Sequence, residues 1–114
     1  MSEEWYLAEG TTRSNFDEWI TIQNPNNQSC GVTIDYSFGP KQGNPLTQTY
    51  TMSPNSRLTI NVNDPKTGVG PNKDVSAHIT CDEPVVLERP MYFNYGGNIT
   101  GGHIASGYIP QADQ

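Results

Sequence analysis

Six side chains stand out as candidates for acid–base or nucleophilic chemistry: Glu9, Glu88, Arg57, Arg89, His78 and His103. Two carboxylates flanking a sugar linkage would be the apparatus of glycoside hydrolysis. Nothing in the spacing brings two of them together. There is no Gly-x-Ser-x-Gly elbow and no His-Glu-x-x-His pair, so a hydrolase or other enzyme is not expected. Glu88 and Arg89 are adjacent. On a strand they point to opposite faces, and whichever turns inward needs a partner. The expectation is structural ion pairing, with Glu9 or Glu88 against Arg57 or Arg89, fixing strand register.

Metal chemistry has little to work with. The two cysteines, Cys30 and Cys81, sit in no Cys-x-x-Cys motif, and the two histidines do not complete a zinc spacing. The stretch from Asn61 to Asp74 is rich in oxygen donors but lacks the order of a calcium loop, and it carries Lys66 and Lys73. It reads as a solvated loop with Asx turns. No cofactor and no metal site are expected.

The aromatics are numerous for a polar chain, at 10%. Trp19 and Phe93 are expected to pack in the core. Alternation separates Tyr92 from its neighbour, so Tyr50, Tyr92 and Tyr95 are candidates for an exposed contact surface that suits carbohydrate or protein.

These residues must be positioned by strands. Gly, Pro and Asn punctuate the chain, and the stretches between them alternate or are β-branched. The pattern predicts strands over residues 4–8, 16–23, 30–38, 46–52, 57–62, 74–81, 85–95 and about 102–109. Asp82-Glu83-Pro84 is predicted to be a tight turn, and Pro90 to mark a bulge or bend in the hydrophobic run. Strand count and turn frequency predict an all-β fold, an antiparallel two-sheet β-sandwich of roughly seven to nine short strands. Residues 1–114 form one domain, with 1–4 and 110–114 as flexible ends.

The chain has 114 residues, enough for one domain with one core. Apolar residues make up only 33%, but charged residues are just 16%. The polarity comes from amides, hydroxyls, Gly and Pro, unlike the charge-rich composition of disorder. Net charge is -6 and no segment concentrates Lys or Arg, so a nucleic-acid partner is not expected. No apolar run is long enough to span a bilayer as a helix, and membrane insertion is not expected. Met1-Ser2-Glu3-Glu4 does not read as a signal peptide.

Cys30 and Cys81 both fall in predicted strands. They either bridge neighbouring strands or act as two small buried residues. A bridge would close a loop of about 50 residues and contribute about 4 kcal/mol.

The blocks Trp5-Tyr6-Leu7-Ala8-Glu9-Gly10, Glu88-Arg89-Pro90-Met91-Tyr92-Phe93 and Gly101-Gly102-His103, in that order, carry a resemblance. Trp19 to Asn26 and Ser56 to Ile60 lie between them. The chain resembles, over nearly its whole length, one unit of a β-rich repeat found in tandem in large surface and cell-wall proteins of actinobacteria and related bacteria. The resemblance implies an extracellular or cell-surface module with a structural or adhesive role. Its partners would be neighbouring copies or repeats of itself, or a cell-surface glycan. It names no ligand. The repeat carries small residues, typically Ala or Ser, where Cys30 and Cys81 stand here, which leaves open an added staple suited to an oxidising exterior.

Overall fold

The computed structural model describes residues 2–13, 16–95 and 99–106, with side chains described for 2–8, 10–13 and 16–91. Seven strands are present among them: β1 (Ser2–Thr11), β2 (Phe16–Asn24), β3 (Cys30–Phe38), β4 (Leu46–Met52), β5 (Ser56–Asn61), β6 (Asp74–Tyr95) and β7 (Ile99–Ser106). All pairings are antiparallel. The fold is all-β, and no helix among the described residues is long and apolar enough to cross a membrane.

The 22-residue β6 organises everything else. Its first half lies between β1 and β3, with β4 beyond β3. Its second half lies between β2 and β7, with β5 beyond β2. The turn expected at Asp82-Glu83-Pro84 does not form, because β6 runs straight through it. Pairing with β3 ends at Val32 opposite Cys81, and pairing with β2 begins at Gln23 opposite Val86. Pro84 therefore falls at the handover between partners, where a missing N–H costs no bond in either ladder.

Pro90 inserts no bulge. The offset with β2 is the same on both sides of it, from Glu18 opposite Met91 to Thr21 opposite Glu88. Pairing with β7 continues through Pro90 opposite Ile104. Only the β2 ladder lapses there, between Glu18 and Thr21, so the absent donor is on the β2 side.

Alternation builds the core. β3 buries Cys30, Val32, Ile34 and Tyr36 and turns Asp35 and Ser37 outward. β2 buries Ile20 and Ile22, β5 buries Ile60, and β6 buries Val75, Ala77, Ile79, Val85 and Leu87. With Trp5, Leu7 and Met52 these form one hydrophobic cluster drawing on both halves of the fold. Each fully buried aliphatic side chain contributes about 1.5–3 kcal/mol relative to exposure. The N-terminal segment is not a loose end: β1 starts at Ser2, which pairs with Val85. Residues 110–114 lie outside the described residues.

β1 breaks its own alternation. Leu7 sits opposite Ala77, but Gly10 sits opposite Val75, so β1 has one residue too many between them. Such a bulge switches which side chains face inward. Trp5 and Leu7 are buried before it, Gly10 and Thr12 after it.

Candidate functional site

Among the described residues polar side chains gather in several places, of which one is sealed inside and another is open on the outer face of β2 and β5. The sealed one is built by that bulge. Glu18 of β2 shares a face with Ile20 and Ile22 and is 2% exposed, while Arg89 of β6 is 6% exposed. The Arg89 guanidinium donates from Nη1 to Ala8 O at 2.5 Å. The Glu18 carboxylate accepts the backbone N–H of Thr11 and feels the charge of Arg89. Arg89 thus holds the chain within the bulge and Glu18 holds it just after. The two interact through space, since Glu18 Oε1 and Arg89 Nε make no hydrogen bond.

Glu18 is itself anchored through its backbone. Its N–H donates to Asn63 Oδ1 at 2.9 Å, and its carbonyl accepts from Val62 N at 2.9 Å. Gly10 packs directly on its carboxylate: a Cβ there would come within 2.2 Å of Oε1. Burial pushes the Glu18 carboxyl up to about 7, against the opposing pull of Arg89 and the Thr11 N–H. That value suits acid–base work near neutrality. Enclosure argues for a structural role, because a catalytic carboxyl must reach its substrate.

No ion pair among the described residues includes Arg57, Glu88 or Arg89. Arg89 turns inward, as alternation requires of one member of the Glu88-Arg89 step, and the carboxyl that feels its charge is Glu18. Glu88 faces outward and is exposed, opposite Thr21. Arg57 is exposed on β5 and takes part in no ion pair among the described residues. The Glu9 side chain lies outside the described residues. Glu18 was missed, although its parity with Ile20 and Ile22 was a signal that it faces the core.

Cys30 and Cys81 are free thiols, both buried and both inward-facing. They lie beside one another across β3 and β6. Burial first, and then the Cys30 thiol, push Cys81 up to about 12, which leaves it unreactive near neutral pH.

Tyr50 is half-buried and packs against the core. Its hydroxyl donates to Thr67 O and lies against Tyr36, whose own hydroxyl is pushed up by burial first and then by Tyr50. The side chains of Tyr92, Tyr95, Phe93 and His103 lie outside the described residues.

On the outer face of the first half, the Tyr6 ring stacks on His78 with centroids 4.4 Å apart. His78 Nε2 is 3.6 Å from Glu4 and Nδ1 is 3.9 Å from Asp35. The carboxylates address opposite nitrogens, so they do not converge on a shared cation position. In the loop after β5, the Asp64 carboxylate accepts the N–H groups of Lys66 and Thr67, an Asx turn.

The open place is on the outer face of β2 and β5. Trp19 was expected in the core. It is half-buried on the outer face instead, because it alternates with Ile20. With Thr21, Arg57, Thr59 and Pro90 it lines a depression of about 220 Å³. A second depression, about 430 Å³, is lined by Gln23, Asn24, Pro25, Asn55, Ser56 and Arg57. The two share Arg57.

The architecture defines an all-β antiparallel domain organised around one long shared strand. Solved structures share this fold, among them the following two. A crystal structure of Thermotoga maritima 1070 superposes with a TM-score of 0.82 at 19% identity, covering 96% of this chain and 95% of that one. The Anabaena sensory rhodopsin transducer superposes at 0.64 with 19% identity, covering 77% of this chain and 94% of that one. At such identity the likeness shows the fold alone. No family model matches the chain, and no curated protein matches it.

Proposed function

We propose that this chain is a structural and adhesive module displayed on a bacterial cell surface, one unit of a tandem repeat. In this reading the two halves of the fold stack as the sheets of a β-sandwich, with β6 crossing from one to the other. The observation that carries the proposal is how the resemblance-bearing blocks are used. Trp5 and Leu7 are buried in the core, Arg89 reaches Ala8 O, and Gly10 packs on Glu18. These residues hold the fold together, which leaves the outer faces and strand edges for contact. β4 and β5 end the strand order, and β4 exposes the polar Thr47, Thr49 and Thr51. An edge of this kind can accept a strand from a neighbouring copy.

The test is light scattering on size-separated protein over a wide concentration range, with and without reductant. Growth into oligomers, suppressed by Thr49→Pro on β4, supports the module. A strict monomer at every concentration that also fails to retain any cell-surface component overturns it.

A second reading, a carbohydrate-binding module, is favoured by the half-buried Trp19 on the outer face of β2. It shifts the contact surface away from the tyrosines.

A further inference from the structure

We propose that the trough along β2 and β5 binds an anionic oligosaccharide, with Trp19 as its stacking platform and Arg57 as its charge reader. The inference rests on the surface-module reading above and names the chemistry of one contact.

Three observations meet at this place. The first is shape. Arg57 lines both depressions, one with Trp19 and Pro90 and the other with Pro25 and Asn55. From Trp19 to Pro25 along an extended strand is about 20 Å, long enough for several sugar rings in a row. The register keeps the lining in one line, with Thr21 opposite Thr59 and Gln23 opposite Arg57.

The second is an aromatic next to a backbone without a donor. Trp19 faces the lapse in the ladder at Pro90. Trp19 and Pro90 line that depression together with Thr21, Arg57 and Thr59, so apolar ring surface and polar side chains stand side by side. A pyranose presents that pattern in reverse, with apolar C–H faces and a polar rim. The other tryptophan, Trp5, is buried and its indole N–H donates to Ser2 O at 3.2 Å, so it is no competitor for the role.

The third is charge. Arg57 lines both depressions and is exposed, with no ion pair among the described residues. The net charge of -6 disfavours anions over the surface as a whole, so the exposed Arg57 guanidinium is the local group that would hold a carboxylate or sulfate, in a two-pronged contact. Gln23, Asn55 and Ser56 supply donors and acceptors for hydroxyls. Glu88, exposed across from Thr21, repels anions and confines the charged group to the Arg57 end.

A glycan array holding carboxylated, sulfated and neutral glycans tests the class. Titration with polygalacturonate, and with its methyl ester as the uncharged twin, then tests the charge reader. Preferential retention of anionic glycans is expected. Arg57→Gln should weaken polygalacturonate or the best array ligand about tenfold and abolish the preference over the neutral twin. Higher salt should weaken binding by the wild-type protein. Arg57 is exposed, so this variant folds like the parent. Trp19→Ala removes the platform, and the indole N–H signals read the contact without any substitution: ligand should move Trp19 and leave Trp5 in place. No anionic glycan retained, neutral glycans bound equally well, unchanged binding in Arg57→Gln, or a shift confined to Trp5 would each overturn the proposal. Self-association is measured on the same samples. If it persists while glycan binding is absent, the trough assignment fails and the surface-module reading stands. If both are absent, that reading fails as well.

Discussion

Glu18 and Trp19 are neighbours in β2 and belong to different worlds. Glu18 turns inward to meet Arg89, while Trp19 turns outward to share a trough with Arg57. The two arginines differ the same way. Arg89 is enclosed, hydrogen-bonded to a bulge and close enough to the Glu18 carboxyl for its charge to be felt there. Arg57 is exposed and without an ion-pair partner among the described residues. Strand parity decides which charge becomes part of the architecture and which remains available. The lesson is that a charged residue type says little until its face is known.

Substitutions should separate the two regions sharply. Arg89→Ala is expected to have the largest effect. It strips the bond to Ala8 O and leaves that carbonyl without this donor and the space of the guanidinium unfilled, a loss on the order of 3 kcal/mol in urea unfolding. A loss under about 1 kcal/mol would mean that the interior pair does not hold the bulge.

Gly10→Ala comes next. The added methyl meets the Glu18 carboxylate, and overpacking of this kind costs about 1–3 kcal/mol. Thermal melting of the variant checks this, and combining it with Glu18→Ala should recover part of the loss. Independent, additive losses would show that the contact is not the cause.

Arg57→Gln should be the mildest, within about 0.5 kcal/mol of the parent, with any consequence confined to binding. A large stability loss there would erase the contrast between the two arginines.

Much of this was legible in the residues. The alternation of Val32, Ile34 and Tyr36, and of Leu58, Ile60 and Val62, reads directly as strands with an inner face. All-β architecture and the strand count follow from such runs. The continuity of β6 was hidden, because Asp82-Glu83-Pro84 has the composition of a turn. Only its place between two partners makes it tolerable in a strand. The partner of Arg89 was hidden for a related reason. The bulge after Leu7 adds one residue that no local pattern announces, yet it is what brings Gly10 and Thr11 onto Glu18. Trp19 was misplaced because size was weighed over parity.

The pH dependence of stability tests the central claim most directly. Folding raises the Glu18 carboxyl from 4.5 to about 7, so the folded state holds that proton more tightly than the unfolded one. Its contribution is complete below about pH 4.5 and is lost as pH rises through about 7, at most about 3 kcal/mol. Asp64 and Asp74 are held below their usual range by hydrogen bonds to Lys66 and Arg13 first. Their contributions disappear only in more acid solution, outside this window. The measurement is urea unfolding between pH 5 and 8 for the parent and for Glu18→Gln. The account predicts that the parent loses stability as pH rises and that the glutamine variant loses distinctly less. Parallel curves for the two proteins would contradict it.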